Sequence, residues 1–466
     1  MHLDNVARDF ASLTFSQTLG LSAGYITRPL TDPSGDRIVT VPSDVLVEPG
    51  IMTLRFFPTI GQNDSGPTAA VNVAAQNIYS KIRERHSGTI AFDKTDVMML
   101  ILAMDSAYMV YEDMLRAYRT MTSFDLTTVN RYYPNTVLGA LGYNPSLAQH
   151  LSEFKGLLDL FAYKLSSINI PDVFDLITRH SWLCSNIYLD DDSRKAQSFV
   201  YIPSHVYQWT EGTGSNPTSL VPIKFHASKD SLFDSISEIS NFIDAIMNPI
   251  LGSEDVGNIS GQLASTFGEA GLIKIKPVEE HEPLIPICSK EVSFQIRNSF
   301  FSPGTLKSEA DAAITQNLSS TVAGPYLQQN VFVLLGTDGF RRTQLRPMLN
   351  FIDEDTSPEN VMVSTRNIAL TNTVSSSTIP EVEFKCYGSE VILSSEIWVL
   401  LPNGTPNPLS FDQDIFIGTT TDALVISQNL TLLHRVAAFF NAPPVYIFTA
   451  GTDGPSYLGN TANVCN

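Results

Sequence analysis

The chain has 466 residues, 43% hydrophobic and 10% aromatic, which is apolar surface enough for more than one core and length enough for two or three domains. Acids outnumber bases 48 to 29, giving a net charge of −19 with no run of Lys or Arg, which argues against tight binding of nucleic acid by this chain. Only 17% of residues are charged, against about 25% in ordinary soluble domains, which fits surfaces that are neutral polar or covered by neighbouring subunits.

A compact turn-and-strand segment runs from Pro49 to Gly61. Gly66-Pro67 starts a helix, with Pro67 preset at the first helical position and Gly88 available to stop it. Val71, Ala74, Ala75, Ile78 and Ile82 form its apolar face, while Lys81, Arg83, Glu84 and Arg85 mark a surface. The next helix, from about Asp96 to Arg119, is apolar all round, through Val97 to Leu102 and on to Met104, Tyr108, Val110 and Leu115. Such a helix is central and packed on every side. Asp93 or Thr95 caps it, and Asp105, alone among apolar neighbours, reads as a hydrogen-bonded structural carboxylate.

Asn144-Pro145 opens a third long helix, with Asn capping and Pro first. Leu147, Leu151, Phe154, Leu158, Phe161 and Leu165 make a seven-residue seam along it, the pattern for shallow-angle packing against another helix. Pro171 begins a shorter helix through Val173, Phe174, Ile177 and Trp182. A further helix from Ser228 has the same rhythm at Leu232, Ile236, Ile239, Ile243 and Ile246, ending by Pro249 and Gly252. Seams of this kind indicate packing inside a bundle.

From about Lys290 the character changes. Val331–Leu335, Val382–Cys386, Val391–Leu393 and Ile397–Leu401 read as strands punctuated by Gly and Pro. Leu424 to Phe440 returns to a helical pattern, and Pro443-Pro444 breaks it before Val445–Phe448. The fold class is therefore α+β. A helical body covers 1–284, with short β segments near 50–60 and 197–225; a β-rich insertion covers 285–408; and a C-terminal segment, 409–466, packs back on the body with its helix.

Constellations that would carry chemistry are absent or incomplete. Asp190-Asp191-Asp192 lacks the alternating spacing and glycine of a calcium loop and reads as a solvated turn. Glu279-Glu280-His281-Glu282 is not H-E-x-x-H, and the prolines at 277 and 283 keep it off a helix. Gly212-Thr213-Gly214-Ser215-Asn216 is followed by Pro217 and reads as a loop rather than a phosphate cradle. Arg179-His180 is read as serving a helix terminus. Cys184, Cys288, Cys386 and Cys465 are scattered, which argues against zinc and against a disulfide scaffold. No signal peptide is recognisable, and the longest apolar run, Val97 to Met104, is too short to span a bilayer. No catalytic, cofactor-binding or metal residue is assigned.

The order of Pro49–Gly61, Asn72–Ser80 and Leu102–Tyr108 resembles the capsid proteins of picobirnaviruses, small viruses with segmented double-stranded RNA genomes. Asn130–Pro134, Arg179–Trp182 and Lys195–Gln197 leading into Tyr201–Pro203 extend the resemblance over roughly residues 49–210. It implies a non-enzymatic structural protein of the virion, made in the host cytoplasm, that self-assembles as symmetric dimers into a small T=1 icosahedral shell. The implied partners are copies of itself, an enclosed double-stranded RNA genome, and a host receptor or membrane met by the projecting domain. Family members also carry an N-terminal segment associated with packaged RNA, whereas this sequence begins Met1-His2-Leu3-Asp4-Asn5 with no basic arm, so enclosure rather than tight binding is expected. Two alternatives stay open: a hydrolase or transferase using Asp105, Arg179 and His180 in a pocket between body and insertion, and a capsid protein of another double-stranded RNA lineage such as the partitiviruses.

Overall fold

The computed structural model describes residues 51–460 except 62–65, 124–132, 193–195, 214–215, 227–231, 281–283, 285, 300–304, 307, 319–323, 336–348, 352–355, 368–369, 375–381, 386–387, 401–405, 412–413, 418–435, 437–438 and 450–455. Strand β1 (Ile51–Pro58) leads through a 3-10 turn at Gly66–Thr68 into helices α1 (Ala70–Arg85) and α2 (Lys94–Ser123). Helix α3 (Tyr133–Ala140), a 3-10 segment at Pro145–His150, α4 (Leu151–Ser166) and α5 (Asp175–Ser185) follow. Strands β2 (Tyr188–Leu189), β3 (Ser198–Pro203), β4 (His205–Thr210) and β5 (Ser219–Lys224) precede α6 (Ile236–Leu251) and α7 (Glu254–Phe267). After β6 (Ile287–Cys288) and α8 (Lys290–Asn298) come β7 (Thr305–Leu306), β8 (Thr315–Asn317), β9 (Tyr326–Gln328), β10 (Phe332–Leu335) and α9 (Pro358–Ser364). The chain closes with β11 (Leu370–Val374), β12 (Val382–Lys385), β13 (Glu390–Leu400), β14 (Pro406–Phe411), β15 (Asp414–Ile417), β16 (Pro444–Thr449) and β17 (Ser456–Asn460). Helix and sheet are mixed but largely segregated along the chain, an α+β fold.

Six strands form the main sheet in the order β14-β13-β1-β3-β2-β6. β1 runs antiparallel to β13 and parallel to β3, and all eight of its residues are buried. Met52, Leu54 and Phe56 face a core with Leu183, Tyr188, Phe199 and Val292, while Ile51 and Phe57 face the larger core around α2. A strand covered on both faces needs an apolar run rather than alternation, which is what IMTLRFFP supplies. Its one charge, Arg55, meets Glu396 of β13 at 3.4 Å. That pairing explains why Val391–Leu393 and Ile397–Leu401, which read as two strands, are one: the polar stretch between them is buried, with Glu396 only 4% exposed. β13 therefore lies in the same sheet as β1. Of the other strands of the β-rich region and its continuation, β6 and β14 also join the main sheet, β7, β10, β11 and β12 make a separate sheet in the order β11-β12-β10-β7, and β8 pairs with β9.

α2 is the axis of the helical body. Thirty residues give it a length of about 45 Å, and it is buried on nearly every side, as an all-round apolar helix should be. At its start the Asp93 amide donates back to Asp96 Oδ2 at 2.9 Å, one half of a capping box, while Thr95 donates instead to Gln316. The α4 seam packs inward, with Tyr111 of α2 edge-on to Phe161 and Tyr118 stacked on Phe154. The opposite face of α4 leaves Leu160 and Tyr163 exposed. On α6, Ile239, Ile243 and Ile246 are buried in the same core, so both seams are internal to the subunit.

Several boundaries differ from the sequence reading for local reasons. Asn144 does cap, accepting from the Ser146 amide, but the Pro145 segment is a 3-10 turn and the α-helix starts at Leu151. Pro171 pairs with Leu272 in an isolated bridge, which delays α5 to Asp175. Ser235 accepts from the Glu238 amide and sets the start of α6 at Ile236. Pro249 does not end α6: the Ala245 carbonyl that it cannot satisfy accepts a bond from Gln208 Nε2 at 2.7 Å, and the helix runs to Leu251. Helices α3, α7, α8 and α9 were not expected, and α8 and α9 fall inside the region read as β-rich. Most of the helix expected at Leu424–Phe440 lies outside the described residues, as do Cys386 and Cys465.

Candidate functional site

Chemistry-bearing residues converge where α2, α5, α8 and the start of β13 meet. Asp105, in the middle of α2, and His180, in the middle of α5, are 2.7 Å apart and both essentially buried. The other imidazole nitrogen, Nε2, donates to the Ser389 carbonyl at 3.2 Å. Burial raises the Asp105 carboxyl; burial is also the largest influence on His180 and opposes its protonation, but the charge and hydrogen bond of Asp105, with Glu390 and the Ser389 carbonyl, together raise the imidazole. Both directions describe one proton held tightly between Oδ2 and Nδ1.

One residue earlier on α5, Arg179 reaches the opposite way. Its Nε and Nη2 donate to Glu390 Oε1 at 3.1 and 2.8 Å, Nη2 also meets Gln295 of α8 at 2.9 Å, and Nη1 meets Glu291 at 3.3 Å. Arg366 approaches the same Glu390 oxygen at 3.2 Å, and the Ser389 hydroxyl donates to Oε2. Burial works against the Glu390 charge, but Arg179, Arg366 and His180 together hold the carboxyl below its usual range. The guanidinium of Arg179 also lies 5.3 Å over the Trp182 ring.

A second buried cluster lies further along α2. Arg116 pairs with Asp113 and donates to the carbonyls of Leu183 (3.2 Å), Asn186 (2.9 Å) and Tyr201 (2.9 Å). Asp113 also accepts from the Tyr143 hydroxyl at 2.9 Å. One guanidinium thus ties α2 to the end of α5 and to β3.

The three residues of the enzyme alternative are brought together, but in a structural arrangement. Arg179 and His180 sit mid-helix, correcting the helix-terminus reading: their burial against α2, α8 and β13 uses them as cross-links. Serine, histidine and aspartate are neighbours, yet His180 bonds the main-chain carbonyl of Ser389 and not its hydroxyl, so this histidine does not activate that serine. A groove of about 280 Å³ between α2, α5 and residues 273–278 is lined by Tyr108, Tyr111, Glu112 and Ile177 and by none of the three, while a shallower one of about 230 Å³ is lined by Arg179 with Asp175, Trp182 and Glu291 but not by Asp105 or His180. Asp105 is the hydrogen-bonded structural carboxylate expected.

The acidic run at Asp190 needs correcting. Asp190 is 1% exposed and accepts from the amides of Gln197 and Phe440, both at 2.6 Å; burial pushes its carboxyl up to about 7. Only Asp192 of the three is exposed. The loop at Gly212 is the tight turn of the β4–β5 hairpin, with Thr213 and Asn216 paired, and residues 214–215 lie outside the described set. His281 and Glu282 lie outside it as well. Among the described residues no group of three or more His, Cys, Asp or Glu could hold a metal ion, and no helix is long and apolar enough to cross a membrane. Sequence reasoning missed Glu390, Glu291, Arg366 and the Asp113–Arg116 pair; only the last carries a local signal, two charges one helical turn apart inside an apolar helix.

The family described as picobirnavirus capsid protein matches residues 5–404. A capsid protein precursor of Human picobirnavirus (strain Human/Thailand/Hy005102/-) is 25% identical over 427 residues, covering 86% of this chain and 75% of that one. Among solved structures, the X-ray crystallographic structure of the picobirnavirus capsid superposes with a TM-score of 0.68 at 20% identity, covering 94% of this chain and 91% of the other. At that identity the structural likeness speaks for the fold alone.

Proposed function

Because the chain belongs to the picobirnavirus capsid protein family, we propose that it is a non-enzymatic shell subunit that pairs as symmetric dimers and closes into a small icosahedral particle around double-stranded RNA. The match over residues 5–404 carries this reading. The buried charges are consistent with it, since they cross-link helices to the main sheet. With a net charge of −19, the genome is enclosed rather than gripped, like charge keeping it from adhering to the wall.

The β-rich region, residues 285–408, serves as the outward projection, rooted in the body through β13 and β14, and meets the host receptor or membrane there. The C-terminal segment, 409–466, packs back on the body; Phe439 against Phe199 and the Asp190–Phe440 bond support this. The subunit is synthesised in the host cytoplasm. Light scattering on a sizing column with negative-stain imaging tests the assembly. Megadalton spherical particles are expected, whereas a stable monomer or dimer across several salt and pH conditions would overturn the reading.

A further inference from the structure

The groove between α2, α5 and residues 273–278 belongs to neither buried charge cluster. Tyr108, Leu115 and Ile177, all buried, give it an apolar floor. Its volume, about 280 Å³, is at the small end for ligand pockets. The lining carries three bases, Arg119, Lys274 and Lys276, against one acid, Glu112, in a chain where acids outnumber bases 48 to 29. Glu112 already accepts from the Ser181 hydroxyl at 3.4 Å, and Glu279 and Glu280, next in sequence, do not line the groove. Lys274 and Lys276 are exposed, and among the described residues neither makes an ion pair.

The wall at 273–278 is strand-like but unpaired. Leu272 opens it in a β conformation, φ −108° and ψ 149°, and the chain then runs without a turn or a bend. Exposure alternates along it, with Ile273 and Ile275 half-buried and Lys274 and Lys276 exposed. Its anchor is the bridge between Leu272 and Pro171, where the Ile273 amide donates to the Ile170 carbonyl at 2.9 Å. Beyond that point the amides and carbonyls of residues 274–276 have no partner among the described residues. In a strand, neighbouring residues present these groups to opposite edges, so Lys274 and Lys276 offer theirs on one edge and Ile275 on the other. Open main-chain groups beside an apolar groove are what an incoming strand pairs with.

We propose that this groove receives an extended peptide of a partner protein in which acidic and apolar residues alternate. Its main chain pairs with residues 274–276. On the face shared with Lys274 and Lys276 its side chains are acidic, and on the face shared with Ile273 and Ile275 they are apolar and lie on the floor of the groove. The charge of the rim selects this occupant: a basic strand meets repulsion from both lysines, and a neutral one leaves them without a counter-charge. A small apolar ligand leaves the main-chain groups unused. This inference does not rest on the capsid reading.

Fluorescence anisotropy on the full-length protein tests it, with the dye-labelled, amidated peptide Asp-Val-Asp-Val-Asp as the probe. Saturable binding is expected, weakened about tenfold in the double variant Lys274→Glu, Lys276→Glu, whose exposed positions leave the fold intact. Of the two forms of the probe N-methylated at alternate amides, one is expected to bind and the other to lose binding, because only one set of amides faces the paired edge. Hydrogen exchange is expected to slow over residues 274–276 when the probe is added. No saturable binding up to about 1 mM probe, equal binding by the double variant, or equal binding of both methylated forms would overturn the proposal. So would slow exchange of residues 274–276 before any probe is added. Protection that rises with protein concentration would mark a second copy in the groove, and protection independent of it would mark a segment of the same chain.

Discussion

Replacing Arg116 by methionine is the sharpest test of the view that buried charge holds the helical body to the sheet. Arg116 and Asp113 are both fully buried, and the guanidinium also satisfies three main-chain carbonyls, on Leu183, Asn186 and Tyr201. Breaking a buried pair costs about 3–5 kcal/mol, and each carbonyl left without a charged donor adds up to about 1–3 kcal/mol, the sum being less than additive. Methionine restores much of the volume, so a net loss of about 4 kcal/mol is expected. Arg116→Lys keeps the charge but cannot serve all three carbonyls at once, and about half that loss is expected. Cys184, fully buried on the same α5 turn, is a built-in reporter, with exposed Cys288 as the reference thiol. Under conditions where opening limits reaction, 4 kcal/mol corresponds to about a thousandfold faster labelling of Cys184 relative to Cys288, read by peptide mass spectrometry. Acceleration under about tenfold for Arg116→Met would refute the reasoning.

The Asp105–His180 pair gives stability a pH dependence of its own. Its folded value is raised, so its contribution is complete below about 6.5 and is lost as pH rises through the folded value; His180→Gln should abolish that alkaline decline in denaturant midpoints measured from pH 6 to 9. Gly142→Ala combines a positive φ with a Cβ driven into the His226 ring, and a loss above about 2 kcal/mol is expected by urea unfolding. A change within about 0.5 kcal/mol would show that the space beside Gly142 has room to spare.

What could be read in advance followed from whether local and tertiary demands agreed. α2 was legible because an all-round apolar pattern has one explanation, and the α4 seam because Phe154, Leu158 and Phe161 keep a strict spacing. α8 was hidden: Val292, Phe294 and Ile296 alternate like a strand, and the Ser289 cap that makes them helical is a weak local signal. α7 carries Val256, Ile259 and Leu263 at helical spacing, but Gly257 and Gly261 obscure it. The clamp was legible only in fragments. Asp105 announced itself as structural, but its partner lies 75 residues away, and Glu390 meets Arg179 across 211. No local rule spans such separations.

The position of β1 sets an order of events at the ribosome. Its antiparallel neighbour β13 is far downstream, Arg55 and Glu396 being 341 residues apart. At roughly 5–20 residues per second, β1 waits on the order of 20 to 70 s for that edge to be covered. Its parallel neighbour β3 emerges much earlier and carries the complementary surface for the other edge. A half-built sheet, apolar on both faces and open along β1, is therefore the species that chaperones meet first, and conditions that slow translation between β3 and β13 should lower the yield of soluble protein.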